Sequence, residues 1–361
     1  MRTTIVDVAR DAGVSSTTVS HVLNGTRHVA EPTRQRVLAA VERLHYEVNS
    51  LAQSLKSDRS QTIGLLITDI SNPFFTALVR GIEDVANDAG YSVMLCNTDE
   101  NPDKELTYLR MLRRKSVDAI LMAPTGVRQP VVDQLVGLGF PLVCFDRLPP
   151  GAACDSVLVD NVSGAQGAVS HIIRHGHRRV AVVTGLLGVG TTDERLEGYI
   201  RAMAEHGLPV DPELVRRGNS CLAGGYREMQ ALLDLPDPPT AVFSTNNLMT
   251  LGVLGALQAR SVHVPDAMAV VGFDDFEWAA VLRPRLTVVA QPTYEIGETA
   301  ARMLLDRIEG RGGSEPRRIV LPTRLTVRES CGAAGPDHSA EREDVFGRPP
   351  MHVADVPLSA R

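Results

Sequence analysis

Aromatic side chains are scarce: eight Phe, six Tyr and one Trp make up 4% of 361 residues. A protein that grips single-stranded nucleic acid by stacking bases needs more of them, so that class is set aside. No run of about 18 apolar residues occurs, which argues against a membrane-spanning helix. The start, MRTTIVDVAR, carries no apolar stretch ahead of a small-residue cleavage site, so export is not expected. Cysteine is also sparse. Cys96, Cys144, Cys154, Cys221 and Cys331 are odd in number and widely spaced, with no CxxC and no Cys/His pairing. This argues against a disulfide framework or a zinc site and for a reducing, cytoplasmic setting.

Catalytic and phosphate-binding signatures are missing too. GLLGVG (185–190) has three Gly but not the G-x-G-x-x-G order that cradles a pyrophosphate, and no P-loop is present. HIIRHGH (171–177) holds three His at the end of an expected helix, where the dipole favours them, and the spacing builds no metal cage. No nucleophile elbow is found. An enzyme is therefore the weaker class, and neither cofactor nor metal is expected. The tail 331–361 has Pro, Gly and charge without period. It reads as a loose appendage and lacks the Leu heptads of a tetramerising coiled coil.

What is present is ample apolar material, 43% of residues, in a chain too long for one ordinary domain. Net charge is −6, yet it is unevenly placed: residues 1–60 carry eight Lys/Arg against six Asp/Glu, and the remainder 29 against 37. A mildly basic segment precedes an acidic body, which locates any DNA contact at the N-terminus.

That segment spaces three short helices. Thr4 can cap the first, with Asp7 in capping-box position, Val8, Ala9 and Ala12 inward and Gly13 as the stop. Ser15 caps the second, where Val19, Val22 and Leu23 point to a core. Ser16, Thr17, Ser20 and His21 fall on its other side. Solvated helix faces usually carry Lys or Glu. Small hydroxyl groups instead suit close approach to base edges. Pro32 opens the third helix, with Val37, Ala40, Val41 and Leu44 as its stripe. Two helices across a Gly-containing turn plus a buttress describe a helix-turn-helix, although any small three-helix bundle shares the periodicity. Arg2, Arg10, Arg27, Arg34 and Arg36 favour the DNA-binding reading.

From residue 62 the pattern changes. Short apolar runs at 63–68, 91–96, 119–123, 142–145 and 156–160 alternate with helical spacing over 74–89, 103–114 and 130–138. The alternation resumes with helices over 163–175, 194–206, 225–234 and 247–259 and runs at 180–184, 241–244 and 269–273. A run at 287–290, a helix over 293–309 and IVLP and RLTV (319–327) close the body. This is an α/β chain with doubly wound parallel sheets, too large for one sheet, so two halves are expected.

The stretch TIVDVARDAGVSSTTVSHVLNGTRHVAEPTRQRVLAAVERLHYEVNSLAQSL resembles the DNA-binding segment of the LacI/GalR family of transcriptional regulators, and the likeness continues over about residues 3–330. The resemblance implies a helix-turn-helix domain (1–48), a hinge helix and linker (49–61) and a periplasmic-binding-protein-like core (62–330). Its first subdomain would span about 62–160 and 292–321, its second about 161–290 and 322–330, with crossovers near Asp160, Gln291 and Pro322. It implies that Thr17, Thr18 and His21 read bases, with Ser16 and Ser20 beside them, and that Asn24, Arg27 and Tyr46 position the backbone. In NSLAQSLK (49–56), Leu55 would wedge into a minor-groove step, followed by Lys56. Many relatives carry Arg where Gln53 stands.

In such a core a ligand sits between the halves at the carboxyl ends of the strands. The candidates there are Phe74, Asp146, Arg195, Asn246, Asp274 and Gln291. Phe74 reads equally as a stacking platform or as core. Arg195 reads as a ligand clamp, or as a surface ion pair with Glu194 or Glu197. Asn247 stands where most relatives have Asp. Purine-binding relatives carry an Arg and an aromatic at the places of Val189 and Ser220, so a hydroxylated, neutral effector such as a sugar is expected. The resemblance thus implies a homodimeric, effector-controlled regulator, most simply a repressor, of a pseudo-palindromic double-stranded operator. The rival readings are a stand-alone solute-binding protein, which leaves the first sixty residues unexplained, and a sugar-acting α/β enzyme, which lacks a catalytic constellation.

Overall fold

Thr4 and Asp7 cap one another at the first helix. The Asp7 amide donates to the Thr4 hydroxyl at 3.4 Å and the Thr4 amide donates to the Asp7 carboxylate at 3.0 Å. The computed structural model describes residues 3–25, 27–46, 59–125, 130–149 and 151–332. The chain divides into two units, Met1–Gln61 and Thr62–Arg361. The first holds α1 (Ile5–Ala12), α2 (Ser16–Asn24) and α3 (Glu31–Arg43). Gly13, at φ 65°, ends α1 in the left-handed region that glycine enters at least cost, and its amide donates back to Ala9 and Arg10. Val8, Ala9, Ala12, Val19, Val37 and Ala40 form a small core sealed by Leu23, Leu44 and Tyr46.

The second unit alternates as its apolar runs require. Its first half contains β1 (Thr62–Ile67), α4 (Pro73–Asp88), β2 (Ser92–Asn97), α5 (Pro102–Arg114), β3 (Ala119–Met122), α6 (Pro130–Gly137), β4 (Leu142–Phe145) and β5 (Asp155–Val159). There follow α7 (Asn161–Arg174), β6 (Val180–Thr184), α8 (Gly190–Glu205), β7 (Val215–Arg217), α9 (Leu222–Leu233), β8 (Ala241–Ser244), α10 (Asn247–Ala259), β9 (Ala269–Phe273) and β10 (Thr287–Ala290). The chain ends with α11 (Thr293–Ile308), β11 (Arg318–Leu321) and β12 (Arg324–Thr326).

Two six-stranded sheets result, ordered β11-β5-β4-β3-β1-β2 and β12-β10-β9-β8-β6-β7. Every neighbouring pair is parallel except β10–β12. The two orders superpose strand for strand, so each half repeats one doubly wound plan. The central strands are buried throughout, as parallel strands covered on both faces must be. The chain passes between the sheets three times, after β5, after β10 and between β11 and β12. The first and third passages touch: the Asp160 amide donates to Leu321 O at 3.2 Å. In the first half α4 and α11 cross at backbone contact. A Cβ on Gly81 would lie 2.3 Å from Tyr294 O, and one on Gly297 would lie 2.1 Å from Leu78 O.

The structure differs from the expected elements in instructive places. Helices expected from 163, 194 and 225 begin at Asn161, Gly190 and Leu222. Their first turns (NVSG, GTTD and LAGG) are dominated by Gly and small polar residues, which blur the apolar period. β7, with the sequence VRR, was not expected, because a half-exposed edge strand needs no apolar run. Cys331, expected at the start of a loose tail, is 1% exposed and packs in the second half's core. The hinge helix with Leu55 and Lys56, Gln53, Arg2 and the tail beyond Gly332 lie outside the described residues.

Candidate functional site

In the first unit, Ser15 is the N-cap of α2 and its hydroxyl accepts the Thr18 amide at 3.1 Å. The Thr18 hydroxyl lies 2.9 Å from the same oxygen. Thr18, expected to read bases, is thus engaged with the cap and half-buried. Ser16 and Thr17 are exposed beside it, and Ser20 and His21, one turn on, are half-buried on α2. Arg27 is exposed after α2, Tyr46 packs on the small core, and Asn24 is the last residue of α2. The first turn of α2 therefore offers small hydroxyl groups and no carboxylate. That helix end also carries a positive partial charge, which suits a phosphate or a base acceptor.

In the second unit, Phe74, Asp146, Arg195, Asn246, Asp274 and Gln291 line one cavity of about 400 Å³, its opening included. Six positions far apart in sequence meet because five of them follow a strand or start the helix after it, and Arg195 stands in the second turn of such a helix. Asp146 and Asp274 occupy equivalent places, one residue past β4 and β9. Both are left-handed, at φ 66° and φ 74°. Their amides donate to the next strand, Asp146 to Val157 O at 3.1 Å and Asp274 to Val289 O at 2.9 Å. Such a backbone costs roughly 1–2 kcal/mol for a residue with a Cβ. Here it turns each carboxylate off its strand end into the cavity wall.

Arg195 is not a surface residue. It is 5% exposed, and its guanidinium lies 3.8 Å from the centre of the Phe273 ring. Its Nε donates to Asn161 Oδ1 at 2.8 Å and one terminal nitrogen donates to Thr245 O at 2.8 Å. The same nitrogen is 3.6 Å from Asp274. Glu194 instead accepts from the Asn161 amide nitrogen at 2.8 Å, and Glu197 pairs with Arg201. Asp274 accepts from Gln291 Nε2 at 2.5 Å and from the first amide of α10. Burial nonetheless pushes its carboxyl up from the usual range, with Arg195 and Gln291 acting the other way and Asp146 adding to the rise. The Gln291 Oε1 atom is buried and has no hydrogen-bond partner among the described residues.

Asn246 lines the cavity with its side chain already engaged. Oδ1 caps α10 by accepting the Met249 amide at 2.8 Å, and Nδ2 donates to Ser220 O at 3.1 Å. Asn247 is 1% exposed and reaches the other half, where Nδ2 donates to Asn72 Oδ1 at 2.8 Å. An aspartate there would face Asn72 Oδ1 with no proton to give. Phe74 settles both ways: it is 5% exposed, packs in the first half's core edge-on to Phe75, and still contributes to the cavity wall. Val189 and Ser220 line the cavity as well.

Sequence reasoning missed Thr191, Thr192 and Thr245, which also line the wall. Thr191 and Thr192 lie one helical turn before Arg195, and that spacing was the available signal. Asn161 was missed because nothing in its neighbourhood marks it; it acts through Arg195. Among the described residues no group of three His, Cys, Asp or Glu side chains could hold a metal ion. Nor is any described helix long and apolar enough to cross a membrane.

With this geometry in hand, the comparisons with known proteins agree in both units. A family model for bacterial regulatory proteins of the lacI family matches residues 4–49, and one for a periplasmic binding protein-like domain matches residues 169–331. The HTH-type transcriptional repressor PurR of Aliivibrio salmonicida (strain LFI1238) is 37% identical over 328 residues, covering 91% of this chain and 98% of that one. Among solved structures, a complex of the transcriptional regulator CelR with cellobiose is 34% identical with a TM-score of 0.70, covering 91% of this chain and all of that one. The lac repressor dimer bound to operator and the anti-inducer ONPF gives a TM-score of 0.82 at 25% identity, covering 92% and 100%.

Proposed function

The chain belongs to the lacI family of bacterial regulatory proteins, and on that premise we propose that its α2 surface reads an operator half-site while a carbohydrate in the cavity controls the grip. The protein is a DNA-binding transcriptional repressor under the control of a small effector; the residues and the effector class are the proposal. Ser16, Thr17, Thr18, Ser20, His21, Asn24 and Arg27 serve the DNA surface together with Tyr46, and Leu55 and Lys56 serve the hinge. The divisions at 48, 61 and 330 separate reader, hinge and core. A homodimer in the cytoplasm matches a two-fold operator with a two-fold protein.

One observation carries the effector reading. The cavity pairs acceptors from both halves, Asp146 and Asp274, with the buried Gln291 Oε1, which has no partner among the described residues, and the donor Arg195. Three acceptors against one cation call for a ligand rich in O–H donors and without negative charge. Phe74 adds an apolar face for a sugar ring. CelR, a transcriptional regulator whose complex holds cellobiose, is similar to this chain at 34% identity.

Genomic footprinting with the full-length protein tests the DNA half, and calorimetry against a carbohydrate panel tests the effector half. A sequence-selective footprint released or strengthened by one carbohydrate is the expected result. Binding of nucleobases alone would overturn the effector class, and uniform binding to all fragments would overturn the operator reading.

A further inference from the structure

Cys144 and Cys154 stand ten residues apart, yet their sulfurs lie 3.4 Å from each other. Cys144 is the third residue of β4 and wholly buried; Cys154 directly precedes β5 and keeps 6% exposure. The adjacent pairing of β4 with β5, Val143 opposite Asp155, holds the two thiols on one side of the sheet. The segment they bracket carries Asp146 and Arg147 directly after the end of β4. Arg147 binds Asp146 at 2.9 Å and Glu100 at 3.0 Å, so its start is already anchored beside the cavity.

We propose that Cys144 and Cys154 form a reversible disulfide site, oxidised by a hydroperoxide, which locks the segment that carries Asp146. The sulfurs need to close from 3.4 Å to the roughly 2.05 Å of a bond, a shift the segment between them can supply. Cys154 is the entry point, being the more exposed of the two. The contact with Cys144 draws the Cys154 thiol below its ordinary value, and the same contact together with burial holds the Cys144 thiol well above its own. Asp155 and Asp133 oppose ionisation of Cys154, and Glu105 opposes that of Cys144.

The Cys154 thiolate attacks a peroxide oxygen, the O–O bond breaks and a sulfenic acid forms. The departing oxygen, after taking up a proton, leaves as water or alcohol. Cys144 sulfur then attacks the sulfenyl sulfur. The S–S bond forms, the S–O bond breaks, and hydroxide leaves with the Cys144 proton as water. Two thiols lose two electrons and the peroxide gains them; a dithiol reductant reverses the change.

The test uses the full-length protein treated with stoichiometric hydrogen peroxide. Intact-mass spectrometry should show loss of two hydrogens, peptide mapping should place the link at 144–154, and dithiothreitol should restore the mass. The link should persist in Cys221→Ser, which removes the exposed cysteine, and vanish in Cys154→Ser. Amide hydrogen exchange over 146–148 and 151–153 should slow on oxidation. Irreversible oxidation of Cys154 alone, a link through Cys221, or all five thiols still open to alkylation in urea would each overturn the site. Unchanged exchange in the linked protein would overturn the lock. None of these readouts needs an operator or a carbohydrate, so failure here and failure of the proposed regulation are told apart.

Discussion

Glu105 is wholly buried on α5, a place where a carboxylate is rarely tolerated. One oxygen accepts the Thr125 amide at 2.5 Å; the other has no partner among the described residues. Burial pushes its carboxyl up to about 7, against the relief given by Thr125; Glu100 adds to the rise and Arg147 opposes it. The unfolded chain releases this proton near the ordinary 4.5. The folded state therefore holds a proton that the unfolded state has lost wherever the pH lies between the two values. Stability supplied by the neutral acid is complete below pH 4.5 and is lost as pH rises through 7. At 1.36 kcal/mol per unit the whole interval is worth about 3 kcal/mol. Glu105→Gln keeps the acceptor for Thr125 and removes the proton. Urea unfolding at pH 5 and pH 8.5 should show the variant gaining about 3 kcal/mol on the native protein across that span. A difference between the two proteins that does not change with pH would refute the buried-acid argument, whatever its absolute size.

Asn161→Ala removes a buried hydrogen bond to a guanidinium, worth about 1.5–3 kcal/mol, so carbohydrate affinity should fall roughly ten- to hundredfold by calorimetry while operator affinity without ligand is retained. Asn161→Asp keeps the acceptor for Arg195 and turns a negative oxygen toward Glu194, so it should bind no better than Asn161→Ala; recovery of native affinity would count against the Glu194–Asn161–Arg195 chain. Asp274→Ala should abolish the effector response in a gel-shift titration and leave basal operator binding, and a normal dose response would remove it from the site. His21→Ala should relax discrimination among operator variants by about 1–3 kcal/mol; unchanged ranking of variants would deny it a base contact.

Much of the fold was legible because buried parallel strands are nearly continuous apolar runs. VAVVT, AVFS and AVVGF are strands in the structure at the places their composition suggests. The candidate site was legible for a topological reason. In an open α/β sheet the polar residue after a strand is delivered to the carboxyl edge, so Asp146, Asn246, Asp274 and Gln291 converge without any knowledge of distance. What stayed hidden depends on partners chosen in three dimensions. Asn161 and Asn247 look like ordinary helix-start residues until Arg195 and Asn72 are placed beside them. Glu105 lies on the same helix face as Leu109 and Leu112, but a carboxylate there reads as exposed by residue type, and only packing reveals that it is sealed. Cys144 and Cys154 looked unrelated because parallel pairing of β4 with β5, not proximity in sequence, aligns them.

The cavity and the passages between the halves share the same hydrogen bonds. Arg195 is held by Asn161, the first residue of α7 after the passage that leaves β5; Asp274 is held by Gln291, on the passage that leaves β10. The two held groups face one another at 3.6 Å, longer than a direct hydrogen bond, so each retains capacity for a further partner. A polyol that donates to Asp274 competes with Gln291, and one that accepts from Arg195 competes with Asn161. Asp146 reaches the same cavity from the first half, and Asn247 ties the halves through Asn72. A ligand with different affinities for two arrangements of the halves must therefore act on residues that stand on the connections themselves. That satisfies the thermodynamic requirement for a shift in population without a long chain of intermediaries. It also separates roles: removing Asp274 or Gln291 deletes a group that lines the cavity, whereas altering Asn161, which does not line it, changes only how Arg195 is held.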